Sequence, residues 1–157
     1  KIMIVLLVVA ATFGIKEANA QVSVHINIGN QPAWGPTGYN YAGFYYLPDI
    51  NCYYDINRSM FIYPNGPRWV YARHLPSRYR TVNLYHTYKV VVNQPDPYRY
   101  NRAHVREYAR YRNRYDQPMI RDSRDNRYYA NPGHPKHKDW KHDRRGSHDN
   151  RRNDHRR

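Results

Sequence analysis

The sequence predicts a mainly β protein: a small antiparallel sheet, followed by one basic amphipathic helix and a disordered cationic tail. Apolar residues of the first part alternate with a period of two or form short runs bounded by Pro, Gly and Asn. After residue 97 one segment repeats its apolar side chains every 3.6 residues, and aliphatic residues then become rare. The 157 residues suffice for one domain of usual size but not for two.

The first twenty residues have the pattern of a signal peptide. An apolar run reaches Phe13 behind one positive charge, and small residues occupy positions 18 and 20 after a short polar stretch. We expect cleavage before Gln21 and export to the periplasm, the outer envelope or the medium. No cysteine stands at the cleavage point and no further long apolar stretch follows. A lipid anchor and a membrane-spanning mature protein are therefore not expected.

The mature chain divides by composition. Residues 21–96 contain 17 residues of the types Leu, Ile, Val and Phe, together with 11 Tyr. Residues 97–157 contain only two residues of those four types. Lys and Arg outnumber acids by 18 to 8 in the second part and by 6 to 3 in the first. A segment with so little to bury cannot offset its loss of chain entropy. We expect a Tyr-rich β domain over 21–96, a basic amphipathic helix over 97–115 and a disordered tail rich in His, Arg, Asp and Asn over 116–157.

Turn residues divide the β domain into short strands. Alternation predicts a half-buried strand over 22–28, then a Gly- and Pro-rich loop over 29–38. Asn65-Gly66, between two prolines, permits positive φ at both centre positions of a tight hairpin turn. A helical turn is predicted over 81–87. The remaining predicted strands cover 39–47, 50–56, 60–63, 69–73 and 88–93.

The segment 101–114 predicts a helix with two different sides. Asn101 is an acceptable N-cap, and Val105 begins an apolar and Tyr stripe that continues at 108, 111 and 115. Arginines recur every four residues on the opposite side. We expect this ridge, together with the tail, to bind anions. Its members are Arg102, Arg106, Arg110 and Arg114.

Catalytic signatures are missing from the sequence. It has no nucleophile elbow, no zinc-protease motif, no phosphate loop and no dinucleotide-binding glycine pattern. Asp49 and Asp55 flank one predicted strand and would stand about 20 Å apart, and Asp55 is expected to begin the turn at Asn57. Cys52, the single cysteine, lies in an apolar run and is expected to be buried and inert. We expect a protein that is not an enzyme and needs no cofactor.

The charge predicts anionic partners. The chain carries a formal net charge of +14. For an exported protein the accessible anions are lipid head groups, phosphates of lipopolysaccharide and acidic polysaccharides, with nucleic acid only if it is extracellular. The alternative is a tail that serves only solubility.

Aromatic and histidine residues suggest two further hypotheses. Exposed Tyr and Trp on a sheet form a platform for glycans or a partner protein, although Tyr can equally fill the core of a domain short of Leu and Ile. His134 and His137 could share a weakly bound metal, but the surrounding Lys and Arg repel divalent cations, so we expect no physiological metal site. The candidate aromatic surface comprises Tyr53, Tyr63, Trp69 and Tyr71.

Six segments over about residues 30–95 carry a resemblance to a known group. They resemble small exported, largely uncharacterised bacterial proteins with a Tyr-rich YYD…FxY…GxWV core and a basic tail. The resemblance implies an envelope location and an aromatic β-meander, and it brings no catalytic residue. The spacing is also similar to that of aromatic repeat modules that bind peptides. The segments are Leu47-Pro-Asp-Ile50, Tyr53-Tyr54-Asp55, Phe61-Ile-Tyr63, Gly66-Pro-Arg-Trp-Val70, Leu75-Pro-Ser-Arg-Tyr79 and Tyr88-Lys-Val-Val91.

Overall fold

The computed structural model describes residues 26–144. The predicted leader at 1–20, the segment 21–25 and residues 145–157 lie outside this range. No helix within it is long and apolar enough to span a membrane. The regular elements are the strands β1 (Phe44–Leu47), β2 (Cys52–Asp55), β3 (Met60–Asn65), β4 (Arg68–Ala72) and β5 (Val90–Val92) and the helices α1 (Asn101–Glu107) and α2 (137–144). Within the described residues the 3-10 helices are Ile28–Asn30, Ser77–Tyr79, Pro97–Tyr100, Ala109–Tyr111, Ile120–Asp122 and Asn126–Ala130.

The five strands form one antiparallel sheet in the order β4-β3-β2-β1-β5. Strands β1 to β4 are a meander, and β5 returns to pair with the free edge of β1. The predicted antiparallel sheet is therefore confirmed. The description as mainly β is not supported, because 30% of the described residues are helical and 20% lie in strands. Most of the helical residues lie in short 3-10 segments that the period-two pattern does not reveal.

The hairpin between β3 and β4 turns one residue later than predicted. Asn65 pairs with Arg68, so Gly66 and Pro67 occupy the two centre positions. Only Gly66 of the Asn65-Gly66 pair has a positive φ, of 59°. Proline holds φ near −65°, which suits the second centre position of a type II′ turn and excludes a type I′ turn.

The predicted strand over 22–28 is wrong for its described part. Ile28–Asn30 form a 3-10 helix, and Ile26 is two-thirds exposed. Asn27 explains the difference, because its side chain makes the hydrogen bonds to the Ala42 backbone that the backbone of a paired strand would otherwise make. The Asn27 carboxamide accepts from the backbone N–H of Ala42 at 3.0 Å and donates to the Ala42 carbonyl at 2.7 Å.

Both faces of the sheet are covered. On the face that we call the helix face, Tyr46, Tyr53 and Ile62 stand in register on β1, β2 and β3 and are fully buried. Tyr98 and Tyr108, from the helical region 97–111, pack against them. This burial gives the small domain a core in which tyrosine replaces most of the aliphatic residues.

The opposite face, which we call the loop face, is covered by Trp34. Its ring lies 5.6 Å from the ring of Tyr45 and 4.9 Å from that of Tyr54. The Tyr45 hydroxyl donates to the side-chain oxygen of Gln31 at 2.7 Å. Gly35 is required beside Trp34, because a Cβ there would collide with the Tyr45 hydroxyl.

Residues 116–144, predicted to be disordered, are instead ordered around this loop. Ile120 and Tyr128 are fully buried and cluster with Ile28. The backbone of residues 118–121 bonds to that of residues 33–37 through three hydrogen bonds of 2.9 to 3.1 Å. A few buried anchors and backbone hydrogen bonds thus hold a segment that its composition predicts to be unfolded. The predicted tail beyond residue 144 lies outside the described residues.

Carboxamide side chains attach this C-terminal segment to the rest of the protein. Gln117 accepts from the backbone N–H of Lys89 at 2.9 Å and donates to the Lys89 carbonyl at 2.8 Å. Asn131, fully buried, donates to the carbonyls of Ile28 and Gln31 at 2.9 and 2.6 Å. Each carboxamide satisfies backbone groups that burial would otherwise leave without partners.

We expect Asn131→Ala to lower the free energy of unfolding by about 1–3 kcal/mol, because it leaves two buried carbonyls without donors. Urea unfolding followed by fluorescence measures the change. Asn126→Ala, at an exposed position in the same segment, serves as the matched control and should change stability little. Equal stabilities of the two variants would contradict a stabilising role of the Asn131 hydrogen bonds.

Candidate functional site

The predicted arginine ridge does not form a single helical surface. Helix α1 ends at Glu107, and Tyr108 leaves the helical conformation with φ −100° and ψ 8°. Arg102 and Arg106 therefore project from α1, whereas Arg110 lies in the following 3-10 helix and Arg114 beyond it. The predicted 14-residue helix is wrong in its second half, where the Tyr108 ring packs against Tyr46 and the chain bends.

The predicted N-cap is also displaced. Tyr100 is the N-cap residue of α1, and Asn101 is its first helical residue. The Asn101 side chain does not cap the helix, because it donates to the Asn51 side chain at 2.7 Å and to the Tyr53 hydroxyl at 3.1 Å. These partly buried hydrogen bonds fix the start of α1 against the helix face.

Arg102 and Arg106 border an open groove between α1 and the β3–β4 turn. We call it the aromatic–arginine groove, and its volume is about 670 Å³. Trp69 and Tyr98 line it with rings 5.8 Å apart and tilted by 43°. Its remaining lining residues are Pro67, Arg99, Tyr100, Asn101 and Ala103.

The two groove arginines of α1 are exposed and unpaired in the part of the chain that the structure describes. Both Arg102 and Arg106 are exposed, and neither has an ion-pair partner within 4.0 Å among residues 26–144. Arg99 is paired with Asp96 at 3.5 Å, but both side chains are largely exposed, so the pair contributes little. The groove lining contains no acidic residue, and its arginines give it a positive potential.

Arg110 and Arg114 lie against a different aromatic pair. The rings of Tyr88 and Tyr111 stack in parallel at 4.5 Å, with Arg110 over Tyr111 and Arg114 over Tyr88. Arg114 also forms a bidentate ion pair with Asp116. Its hydrogen bonds hold the pKa of the Asp116 carboxyl below the ordinary value. Half of the predicted ridge is thus partly occupied by intramolecular contacts.

The four predicted aromatic residues do not share one exposed face. Tyr53 is fully buried, and only Tyr71 is exposed by more than a third. Tyr53, Trp69 and Tyr71 lie on the helix face, whereas the register places Tyr63 on the loop face. Trp69 is the one predicted aromatic residue that the structure brings together with the predicted arginines.

A buried polar network lies next to the groove. Its central residue, His104, was not predicted from the sequence. His104 is buried on α1, with Nδ1 2.9 Å from the Tyr53 hydroxyl oxygen and Nε2 3.1 Å from the Gln94 side-chain nitrogen. An amide nitrogen only donates, so Nε2 accepts and Nδ1 carries the proton of the neutral ring. His104 precedes Tyr108 by four residues, and this helical spacing could have placed it inward.

Lys89 is a second buried ionisable group that sequence reasoning missed. Its ammonium group donates to the Leu84 carbonyl at 2.8 Å, and burial lowers its pKa to about 8. It has no carboxylate partner within ion-pair distance in the described range. The aliphatic run that follows it masked this position in the sequence.

The two candidate metal-binding histidines, His134 and His137, contact the backbone. His134 is buried, its Nδ1 accepts from the N–H of Lys136 at 3.0 Å, and its Nε2 lies 2.9 Å from the carbonyl oxygen of Ser123. His137 Nδ1 lies 3.0 Å from the carbonyl oxygen of Tyr129. Residues 26–144 contain no cluster of three or more His, Cys, Asp or Glu able to hold a metal ion.

The other candidate reactive groups have structural roles. Cys52 is buried as expected, and burial raises the pKa of its thiol to about 12. Asp55 accepts from the backbone N–H of Arg58 at 3.0 Å and so begins the turn, as predicted. Asp49 accepts from the backbone N–H of Asn113 at 2.8 Å. These contacts bring no nucleophile and base together.

Comparisons with protein-family models, with curated proteins and with solved structures found no match to this chain.

The buried His104 predicts a pH dependence of stability. Burial lowers its pKa below the ordinary value of about 6.5, although the nearby Glu107 opposes the shift. Between these two pKa values the unfolded chain binds a proton that the folded chain does not. The stability that neutral His104 contributes is therefore fully present above about pH 6.5. It is lost as the pH falls through the folded pKa of His104.

Urea unfolding of wild type and His104→Gln at about pH 7.5 and pH 5.5 measures this contribution. We expect the variant to lose less stability than wild type between the two pH values. His86→Gln, at an exposed histidine, is the matched control and should keep the wild-type dependence. An unchanged dependence in His104→Gln would show that His104 is not the titrating group.

Proposed function

We propose that this chain is an exported, non-enzymatic protein that binds anionic polymers or lipid head groups of the cell envelope. The observation that supports it best is the pair Arg102 and Arg106, exposed side by side on α1 without an acidic partner among residues 26–144. A free guanidinium binds phosphate and carboxylate through two parallel hydrogen bonds.

The charge of the whole chain adds long-range attraction to this local contact. The net charge of +14 draws polyanions toward the protein at low salt, and added salt screens that attraction. Residues 145–157 carry five further arginines against two aspartates. Polyanion binding should therefore have a strong salt dependence and a local preference for the groove side of α1.

Export is supported by the leader pattern in residues 1–20. The absence of catalysis is supported by the roles of Cys52, Asp55 and His104, each of which is buried and engaged in the fold. Binding of a partner protein through the Tyr-rich sheet has less support, because Tyr45, Tyr46 and Tyr53 are buried beneath covering segments. A metal-binding tail has less support, because both ring nitrogens of His134 contact the backbone.

We expect Arg102→Glu/Arg106→Glu to weaken binding to dextran sulfate and purified lipopolysaccharide by about tenfold or more at low salt. The matched control is Arg73→Glu/Arg80→Glu, which changes the net charge equally at exposed positions outside the groove. Its effect should be smaller by several-fold. Binding should weaken for all chains at about 0.5 M salt.

A chain ending at residue 144 completes this experiment, because it keeps every described contact and lacks the five C-terminal arginines. It should bind more weakly at low salt and retain the difference between the two double variants. Equal effects of the two double variants would contradict a site on α1. Failure of the unmodified chain to bind either polyanion would contradict the proposed function.

A further inference from the structure

We propose that the aromatic–arginine groove binds one acidic sugar unit of an envelope glycan. The sugar ring packs against Tyr100 and Trp69, and its carboxylate or phosphate contacts Arg102 and Arg106. The inference rests on the proposed function and gives it a ligand class and a place on the molecule.

The shape of the groove suits a single sugar ring with its immediate neighbours. Its volume of about 670 Å³ falls within the range of roughly 300–1,000 Å³ that is usual for small-ligand sites. Its lining combines the aromatic residues Trp69, Tyr98 and Tyr100 with the arginines of α1. Tyr100 is 56% exposed, which leaves its ring available to a ligand.

The chemistry of the lining matches an amphipathic anion. A pyranose ring presents apolar C–H groups on its faces, and aromatic side chains offer a complementary flat surface with a polar edge. Arg102 and Arg106, one helical turn apart, lie about 5–6 Å from one another at their Cβ atoms. Two guanidinium groups at that spacing can hold one carboxylate or phosphate between them.

The aromatic arrangement favours a sugar over a nucleic-acid strand. Strand-binding proteins offer a row of aromatic rings on which successive bases stack. Here Trp69 and Tyr98 are tilted by 43° and contact each other, and Tyr71 meets Tyr98 edge-on at 85°. These three rings therefore do not form a series of parallel platforms, and Tyr100 is the strongly exposed aromatic residue of the groove lining.

The fold holds Trp69 and helix α1 in place beside the groove. Trp69 packs edge-on against the buried Tyr53 ring at 5.7 Å. The Tyr53 hydroxyl contacts both Asn101 and His104 on α1. The same buried tyrosine thus supports the aromatic side of the groove and anchors the helix that carries its arginines. This support reduces the entropy that the Trp69 ring and helix α1 lose when a ligand binds.

The experiment titrates the full chain with a uronic acid hexamer, a neutral glucose hexamer, an oligosaccharide bearing mannose 6-phosphate, and oligothymidylate. The chain has three tryptophans, so the indole N–H signals in a ¹⁵N NMR spectrum report on the groove, with that of Trp69 identified by its loss in Trp69→Phe. Dissociation constants are measured for wild type and Tyr100→Ala, a variant that removes an exposed ring. Tyr39→Ala, also at an exposed tyrosine, is the matched control.

We expect the uronic acid hexamer or the phosphate-bearing oligosaccharide to shift the Trp69 signal and leave those of Trp34 and Trp140 in place. Tyr100→Ala should weaken that binding by about tenfold, whereas Tyr39→Ala should not. Which of the two acidic sugars binds more tightly identifies the anionic group.

Three results would overturn the inference while leaving the proposed function standing, provided that dextran sulfate binding still depends on Arg102 and Arg106. They are an unmoved Trp69 signal in the presence of both acidic sugars, equal binding of the neutral hexamer, and oligothymidylate binding that depends on Tyr100 as strongly as sugar binding does. Failure of the unmodified chain to bind dextran sulfate and lipopolysaccharide would instead overturn the proposed function, and this inference with it.

Discussion

Tyrosine fills the centre of this protein, and each buried ring carries a hydroxyl that must be hydrogen-bonded there. Tyr45 donates to Gln31 in the loop that covers one face of the sheet. Tyr53 contacts His104 and Asn101 in the helix that covers the other face. The partners of the Tyr45 and Tyr53 hydroxyls therefore come from the covering segments, which makes the sheet and its covers one cooperative unit. Among the described side chains no buried polar atom is left without a hydrogen-bond partner.

This requirement links the fold to the proposed binding surface. Asn101 and His104 face inward from α1 to satisfy Tyr53, so Arg102 and Arg106 face outward beside the groove. The short length of α1 also follows from packing, because the Tyr108 ring turns toward Tyr46 directly after the last helical residue. The arginines of the groove are thus positioned by the same contacts that close the core. A basic surface built in this way has fixed geometry as well as charge.

The meander was predictable because its short apolar runs and the turn residues around Gly66 are local features of the sequence, although the hairpin turns one residue later than predicted. The ordered segment at 116–144 was not, because composition averages over many polar residues and misses Ile120 and Tyr128, which are buried and cluster with Ile28. Carboxamides that bond to distant backbone, such as Asn131, look like ordinary surface residues in a sequence. For the site, the arginines were predictable from their four-residue spacing. Their meeting with Trp69 depends on tertiary packing and was not.

Residues 116–144 belong to the same folded unit as the sheet. Urea unfolding of the full chain, of a chain ending at residue 144 and of a chain ending at residue 115 tests this. We expect the first two chains to unfold at the same urea concentration. The third should unfold at a clearly lower concentration, because the loop around Ile28 and Gln31 loses its contacts with Ile120, Tyr128 and Asn131. Equal midpoints for all three chains would show that residues 116–144 do not belong to the folded unit.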